Sequence, residues 1–143
     1  MIQLEIPNTP VPWTAARISS RGAFNPRAKE RDFTRWQIKS AYRGDVLDGY
    51  IVIQLIFAFP IPNSTSKKNK QRMLDGEILP TNCDCTNLQK FYEDCLKNIV
   101  IKDDRYVVKI TSEKLYRDKG CIFMKIYTLD EYRKINADFN RND

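Results

Sequence analysis

Residues 50–59 read YIVIQLIFAF: ten positions with one amide side chain among apolar, β-branched and aromatic ones. A run with almost no polar interruption predicts a central strand. Other segments supply its neighbours. Ile2, Leu4 and Ile6 alternate with polar residues, which predicts a half-buried strand over residues 1–6, ended by Pro7, Pro10 and Pro12. Residues 106–114 alternate as well. Arg117-Asp118-Lys119-Gly120 then makes a turn and residues 121–127 return as a partner strand, so the two are expected to form a hairpin. Residues 28–42 have helical spacing, with Phe33, Trp36, Ser40 and Ala41 on one side, Gln37 interrupting and Ile38 outside the stripe. On that reading Trp36 belongs to a core or an interface. The pattern as a whole predicts an α+β fold in a single domain, a mixed β-sheet packed by two or three helices. No repeat and no linker divides the 143 residues. Residues 1–128 form the expected domain, and residues 129–143 a polar C-terminal tail that starts as a helical turn and ends disordered.

The stretch with chemistry in it is residues 84–104, DCTNLQKFYEDCLKNIVIKDD. Leu88, Phe91, Tyr92, Cys95, Leu96 and Ile99 recur at helical spacing and define one apolar face. Thr86 with Gln89 is a capping-box pattern that puts the helix start near Asp84, and Asn98 suits a left-handed C-cap. The apolar run at residues 99–101 reads as a short strand ending at Lys102-Asp103-Asp104. Such a strand, packed beside its own helix, would carry Asp104 back to Asp84. Two carboxylates meeting at a helix N-terminus give Mg²⁺ the hard oxygen ligands it needs, with positions open for water and phosphate. Each residue also has a plainer role: Thr86 as helix cap, Lys90 as the i,i+4 partner of Asp94, Asp103-Asp104 as a strand-ending turn.

The charge balance, 24 Lys+Arg against 18 Asp+Glu, is +6, enough to favour a polyanion without specifying one. No apolar run is long enough for a transmembrane helix, and residues 1–12 have no signal-peptide pattern, so a cytoplasmic protein is expected. Cys83, Cys85, Cys95 and Cys121 then read as reduced thiols; their spacing is not that of a zinc ribbon, and there is no histidine. Two segments concentrate cations. Residues 15–29 hold Arg17, Arg21, Arg27 and Lys29 around Gly22 and Phe24, a phosphate-contacting loop or a solvated hairpin. Residues 60–80 hold Lys67, Lys68, Lys70 and Arg72 within six positions, with a short helix at residues 66–74, a clamp on DNA or a flexible linker.

Asn82-Cys83-Asp84-Cys85-Thr86-Asn87-Leu88-Gln89-Lys90, followed by Asp103-Asp104, resembles the motif K-P-D-x-D-N-L-x-K, helix, D-D of the RusA family of Holliday-junction resolvases. Phe59-Pro60-Ile61-Pro62-Asn63-Ser64 with Lys67-Lys68 resembles the family's strand end and basic loop. Pro10-Val11-Pro12 and Arg17-Ile18-Ser19-Ser20-Arg21-Gly22 resemble its opening. The resemblance runs to about Thr128. It implies an RusA-like fold and a Mg²⁺-dependent endodeoxyribonuclease, with Mn²⁺ as a possible substitute, that resolves four-way DNA junctions in recombination and repair as a homodimer. It implies no small-molecule cofactor and no membrane partner. By position it assigns catalysis to Asp84, Lys90 and Asp104, and metal binding to Asp84, Asp104 and Asp103. The DNA contacts it suggests are Arg17, Arg21, Arg27, Lys67, Lys68, Lys70 and Arg72. The chain departs from the motif at Thr86, where the family has its second aspartate, and at Asn82-Cys83, where it has Lys-Pro. The first departure opens an alternative, a junction-binding protein of the same fold with weakened catalysis.

Overall fold

The structure, a computed structural model, describes residues 1–141. Strand β4 (Ile51–Pro60) is the apolar run, and it is central: the sheet order is β1-β6-β4-β5, with β1 at Ile2–Ile6, β5 at Val107–Arg117 and β6 at Cys121–Thr128. β4 pairs parallel with β5 and antiparallel with β6, and β1 pairs antiparallel with β6, so the sheet is mixed as expected.

The expected hairpin of β5 and β6 does not form, because β4 lies between them. Asp118, Lys119 and Gly120 carry the chain from one side of β4 to the other. Three residues reach about 10 Å, which covers two inter-strand spacings. The crossing passes the end of β4 at Pro60, which has no N–H to offer, and Ile61 N–H instead donates to Arg117 O at 3.0 Å. Gly120 is required there, since a Cβ would come within 2.8 Å of the Thr9 backbone. The insertion follows from side chains. β4 is buried along most of its length and needs partners on both edges, whereas β5 carries Lys109, Glu113, Lys114 and Arg117 and tolerates an edge.

Ile51, Ile53, Leu55, Phe57 and Phe59 of β4 point to one face and form the core with α1 (Ala28–Ala41) and α3 (Cys85–Leu96). The predicted apolar face of α3 packs there through Leu88, Phe91, Tyr92, Cys95 and Leu96, all buried, whereas Ile99, expected on the same face, lies past the helix end and is half-buried. Tyr92 lies 5.4 Å from Phe57 between ring centroids, and its hydroxyl accepts from Val11 N–H at 3.0 Å. Burial pushes the Tyr92 phenol above its ordinary range. Helix α1 turns the other way from expectation: Thr34 and Ile38 are buried, while Phe33 and Trp36 are exposed and stack on each other. Small and branched side chains let α1 approach β1 and α3, which the large rings would prevent.

The polar C-terminal stretch expected to be mostly tail is instead helix α4 (Leu129–Arg141), laid on the opposite face of the sheet with Tyr132 edge-on to Tyr127 of β6. Residues 142–143 of that expected tail lie outside the described residues. A hairpin of β2 (Arg17–Ser19) and β3 (Gly22–Phe24) stands apart from the sheet, and α2 (Lys67–Leu74) is capped by Ser66, whose hydroxyl accepts from Asn69 N–H at 3.2 Å.

Cys95 tests this packing. Burial pushes its thiol up to about 12, so at pH 8 the thiolate is on the order of one part in ten thousand. Iodoacetamide at that pH is expected to leave Cys95 unmodified in the native protein and to alkylate it after unfolding in guanidinium, read by peptide mass spectrometry. Alkylation in the native state would contradict its place in the core.

Candidate nuclease site

Helix α3 organises the site. Asp84 is its N-cap residue, extended at φ −74° and ψ 134°, and its carbonyl accepts from Leu88 N–H at 3.1 Å. The Asp84 carboxylate makes no capping bond and is exposed. The capping box read from Thr86 and Gln89 does not form: Thr86 is exposed in the first turn, and Gln89 accepts from Ser112 Oγ at 2.7 Å. Lys114 Nζ donates to Cys83 O at 2.7 Å and fixes the approach to the helix. The Lys90 ammonium sits 3.5 Å from the centroid of the Trp13 ring, and the Trp13 backbone N–H donates to Asn87 O at 2.9 Å.

At the other end α3 stops at Leu96, and Asn98 takes the left-handed conformation expected of it, at φ 62°. The strand expected at residues 99–101 is absent. The N–H groups of Ile99, Val100 and Ile101 all converge on Leu96 O, at 3.2, 3.0 and 3.2 Å, and close a tight turn. Val100 and Ile101 are fully buried beneath it. Arg35 of α1 completes the cap, donating to the carbonyls of Asp94, Cys95 and Lys97 at 3.3, 3.3 and 2.8 Å.

Asp103 and Asp104 therefore stay at the C-terminal end. Lys97 Nζ lies 3.1 Å from Asp104 Oδ2 and 3.2 Å from Asp94 Oδ1. Burial alone would lower the Lys97 pKa, but hydrogen bonds to Asp104 and Asp94 outweigh it and hold the ammonium above its ordinary value. Burial, then the charges of Asp104 and Asp94, push Glu93 up. A hydrogen bond with Asp104 and one from Arg105 N–H hold Asp103 below its usual range.

The expectation that Asp104 returns to Asp84 is thus corrected. The 12-residue helix stands between them, about 18 Å at 1.5 Å per residue. It is β5 that runs back along α3, so Ser112 and Lys114, not Asp104, reach the N-terminal half. Among the described residues no three carboxylate or thiol groups converge on a point that could hold a metal. Within one chain Asp84 and Asp104 are too far apart to share a Mg²⁺ ion, which takes one or two carboxylates together with water and phosphate. Asp75 and Glu77 supply nothing further, for Asp75 accepts from Gln71 and Glu77 pairs with Arg72 at 3.1 Å.

The expected DNA-contacting cations fall into three places. Arg17 and Arg21 are exposed on the β2–β3 hairpin. Lys67, Lys68, Lys70 and Arg72 are exposed on α2, where Lys70 pairs with Asp118 at 3.4 Å and Arg72 with Glu77. Arg27 precedes α1 without a side-chain capping bond, and its guanidinium donates to Thr14 and Glu30 at 3.3 and 3.2 Å. The sequence reading passed over Arg31, Arg35, Lys39 and Arg43. Their i,i+4 spacing after Arg27 was the signal that could have found them.

The family model described as Endodeoxyribonuclease RusA matches residues 7–127 of the chain. No curated protein matches it.

Arg35→Met is expected to leave the α3 carbonyls without their donor and to lower unfolding stability by about 1.5–3 kcal/mol, measured by urea denaturation. An unchanged midpoint would mean that water caps the helix equally well.

Proposed function

Because the chain belongs to the RusA endodeoxyribonuclease family, we propose that it is a structure-selective endonuclease that cuts four-way DNA junctions, with Mg²⁺ as cofactor and Mn²⁺ as a substitute, in recombination and repair. The observation that carries the proposal is the family match, which spans both acidic groups of α3 and the basic α2 segment between β4 and α3. Asp84 and Asp104 are the proposed metal ligands, Asp103 an auxiliary one, and Lys90 the group that stabilises charge on the phosphate. Lys90 reaches that role from its seat on Trp13, at the same end of α3 as Asp84. Arg17, Arg21, Arg27, Lys67, Lys68, Lys70 and Arg72 are the proposed phosphate contacts.

A homodimer belongs to the same proposal. With Asp84 and Asp104 at opposite ends of α3, acidic groups from a second copy offer the way to complete a site that one chain does not. A two-fold dimer also matches the symmetry of a four-way junction.

A second reading, junction binding with weakened catalysis, is favoured by one specific observation. The first turn of α3 holds no acidic residue, and Thr86 presents only a neutral hydroxyl beside Asp84.

Two variants test these readings. Asp84→Asn is expected to abolish Mg²⁺-dependent nicking of a synthetic junction while leaving junction affinity intact or tighter, because an unneutralised carboxylate repels phosphate. Nicking at the parent rate would remove Asp84 from the reaction. Thr86→Asp is expected to tighten Mg²⁺ binding and to speed nicking. An added carboxylate at a helix N-terminus is favourable to the fold, though two nearby aspartates repel without metal. Calorimetry showing no gain in metal affinity, with no faster cleavage, would sink the view that position 86 lies within reach of the ion.

A further inference from the structure

Helix α1 and its flanks carry a cation at every fourth position: Arg27, Arg31, Arg35, Lys39 and Arg43. Only the first belongs to the proposed phosphate contacts above. Side chains four apart are neighbours on a helix surface, so Arg31, Arg35 and Lys39 make one slowly turning stripe along the 14-residue helix, about 21 Å, with Arg27 and Arg43 flanking its two ends. Two cavities follow it. One, of about 380 Å³, is lined by Arg27, Arg31 and Arg35; the other, of about 740 Å³, by Arg35, Lys39 and Arg43. They share Arg35 and Asn98 and are two stretches of one groove between α1 and the end of α3.

The larger stretch has the features of a strand-binding surface. No carboxylate lines it, and among the described residues neither Lys39 nor Arg43 forms a salt bridge. Trp36, which lines it, is 63% exposed and stacks on Phe33, itself 54% exposed, with centroids 6.2 Å apart and planes at 14°. Two large parallel rings held in water beside unpaired cations contribute nothing to the core. On the far wall the Tyr42 hydroxyl donates to Asp45 O, and its ring lies so close to Gly44 that a Cβ there would come within 2.8 Å of it.

We propose that this groove binds an unpaired DNA strand, with phosphates along Lys39 and Arg43 and a base stacked on Trp36. The proposal rests on the reading of the chain as a junction nuclease and adds to it a surface for single-stranded DNA next to the branch, separate from α2 and the β2–β3 hairpin. A second copy of the chain suits the groove less well. A two-fold contact centred on this face would set Lys39 and Arg43 against the same cations of the other copy, and the core of a protein interface is depleted in lysine.

The test uses the full chain, a fluorescently labelled oligo-dT and a fully paired four-way junction, read by anisotropy. Trp36→Leu is expected to weaken oligo-dT binding by about tenfold or more, and Trp36→Phe to restore most of it. Lys39→Gln with Arg43→Gln is expected to reduce the slope of log K against log salt for oligo-dT by up to about two. Both sets should keep most of their junction affinity, whereas Lys67→Gln with Lys68→Gln should lose it. Parent protein that binds junctions, with groove variants that bind oligo-dT as tightly as the parent, would overturn the groove alone. Parent protein that binds neither DNA would overturn both readings. If Trp36→Leu leaves oligo-dT affinity unchanged and converts a dimer to monomer in sedimentation, the groove belongs to a second copy and the proposal fails.

Discussion

β4 is buried against α1 and α3 along one face and hydrogen-bonded on both edges, and that constraint sets the geometry of everything around it. With β6 on one edge, β5 takes the other, parallel to β4. A parallel strand must start at the same end of the sheet as β4, so the chain between them has to travel back, and α2 and α3 occupy that return. α3 therefore runs opposite to β5. Its N-terminal half meets Ser112 and Lys114 late in β5, and its C-terminal end meets Asp103 and Asp104 just before β5 begins. The distance between the two acidic groups is a consequence of strand order.

That dependence explains what could be read in advance. The central strand was legible because near-continuous hydrophobicity is a property of the segment itself, and so was the buried face of α3, whose apolar period is complete within one helix. Asn98 was legible because a residue ending a helix in the left-handed region is chosen locally. Strand order is not local. Two alternating strands joined by Asp118-Lys119-Gly120 look alike whether they pair with each other or straddle a third. The error at residues 99–101 has the same origin: an apolar run is equally suited to a strand and to a buried turn, and the choice was made by Leu96 O, which collects three N–H groups.

Helix α1 shows a different limit. Counting large apolar side chains placed Phe33 and Trp36 inward, yet Thr34 and Ile38 are the buried pair. The space left between α1, β1 and α3 admits a hydroxyl and a branched chain at four-residue spacing, and a tryptophan would hold the helices apart. The motif itself located Asp84, Lys90 and Asp103-Asp104 in the chain. Their relative positions followed from the sheet, which no spacing within the motif encodes.

The two ends of α3 obey opposite electrostatic rules. At the N-terminus the helix dipole favours an anion, and Asp84 would be acceptable there on stability grounds alone. At the C-terminus the dipole is negative, and three carboxylates, Glu93, Asp94 and Asp104, crowd the same place. The fold offsets that crowding with Lys97, held between Asp94 and Asp104, and with Arg35 on the carbonyls. The offset is incomplete, since Glu93 is still pushed up by burial and by its acidic neighbours. Where a chain breaks a local rule and needs two cations to contain the result, stability is a poor explanation for the arrangement. Asp84 takes only that dipole preference from the fold, for its exposed carboxylate makes no capping bond. Asp103 is accounted for locally, since its side chain accepts from Arg105 N–H, and Asp104, set against the wrong end of a helix, is the motif residue that stability explains least.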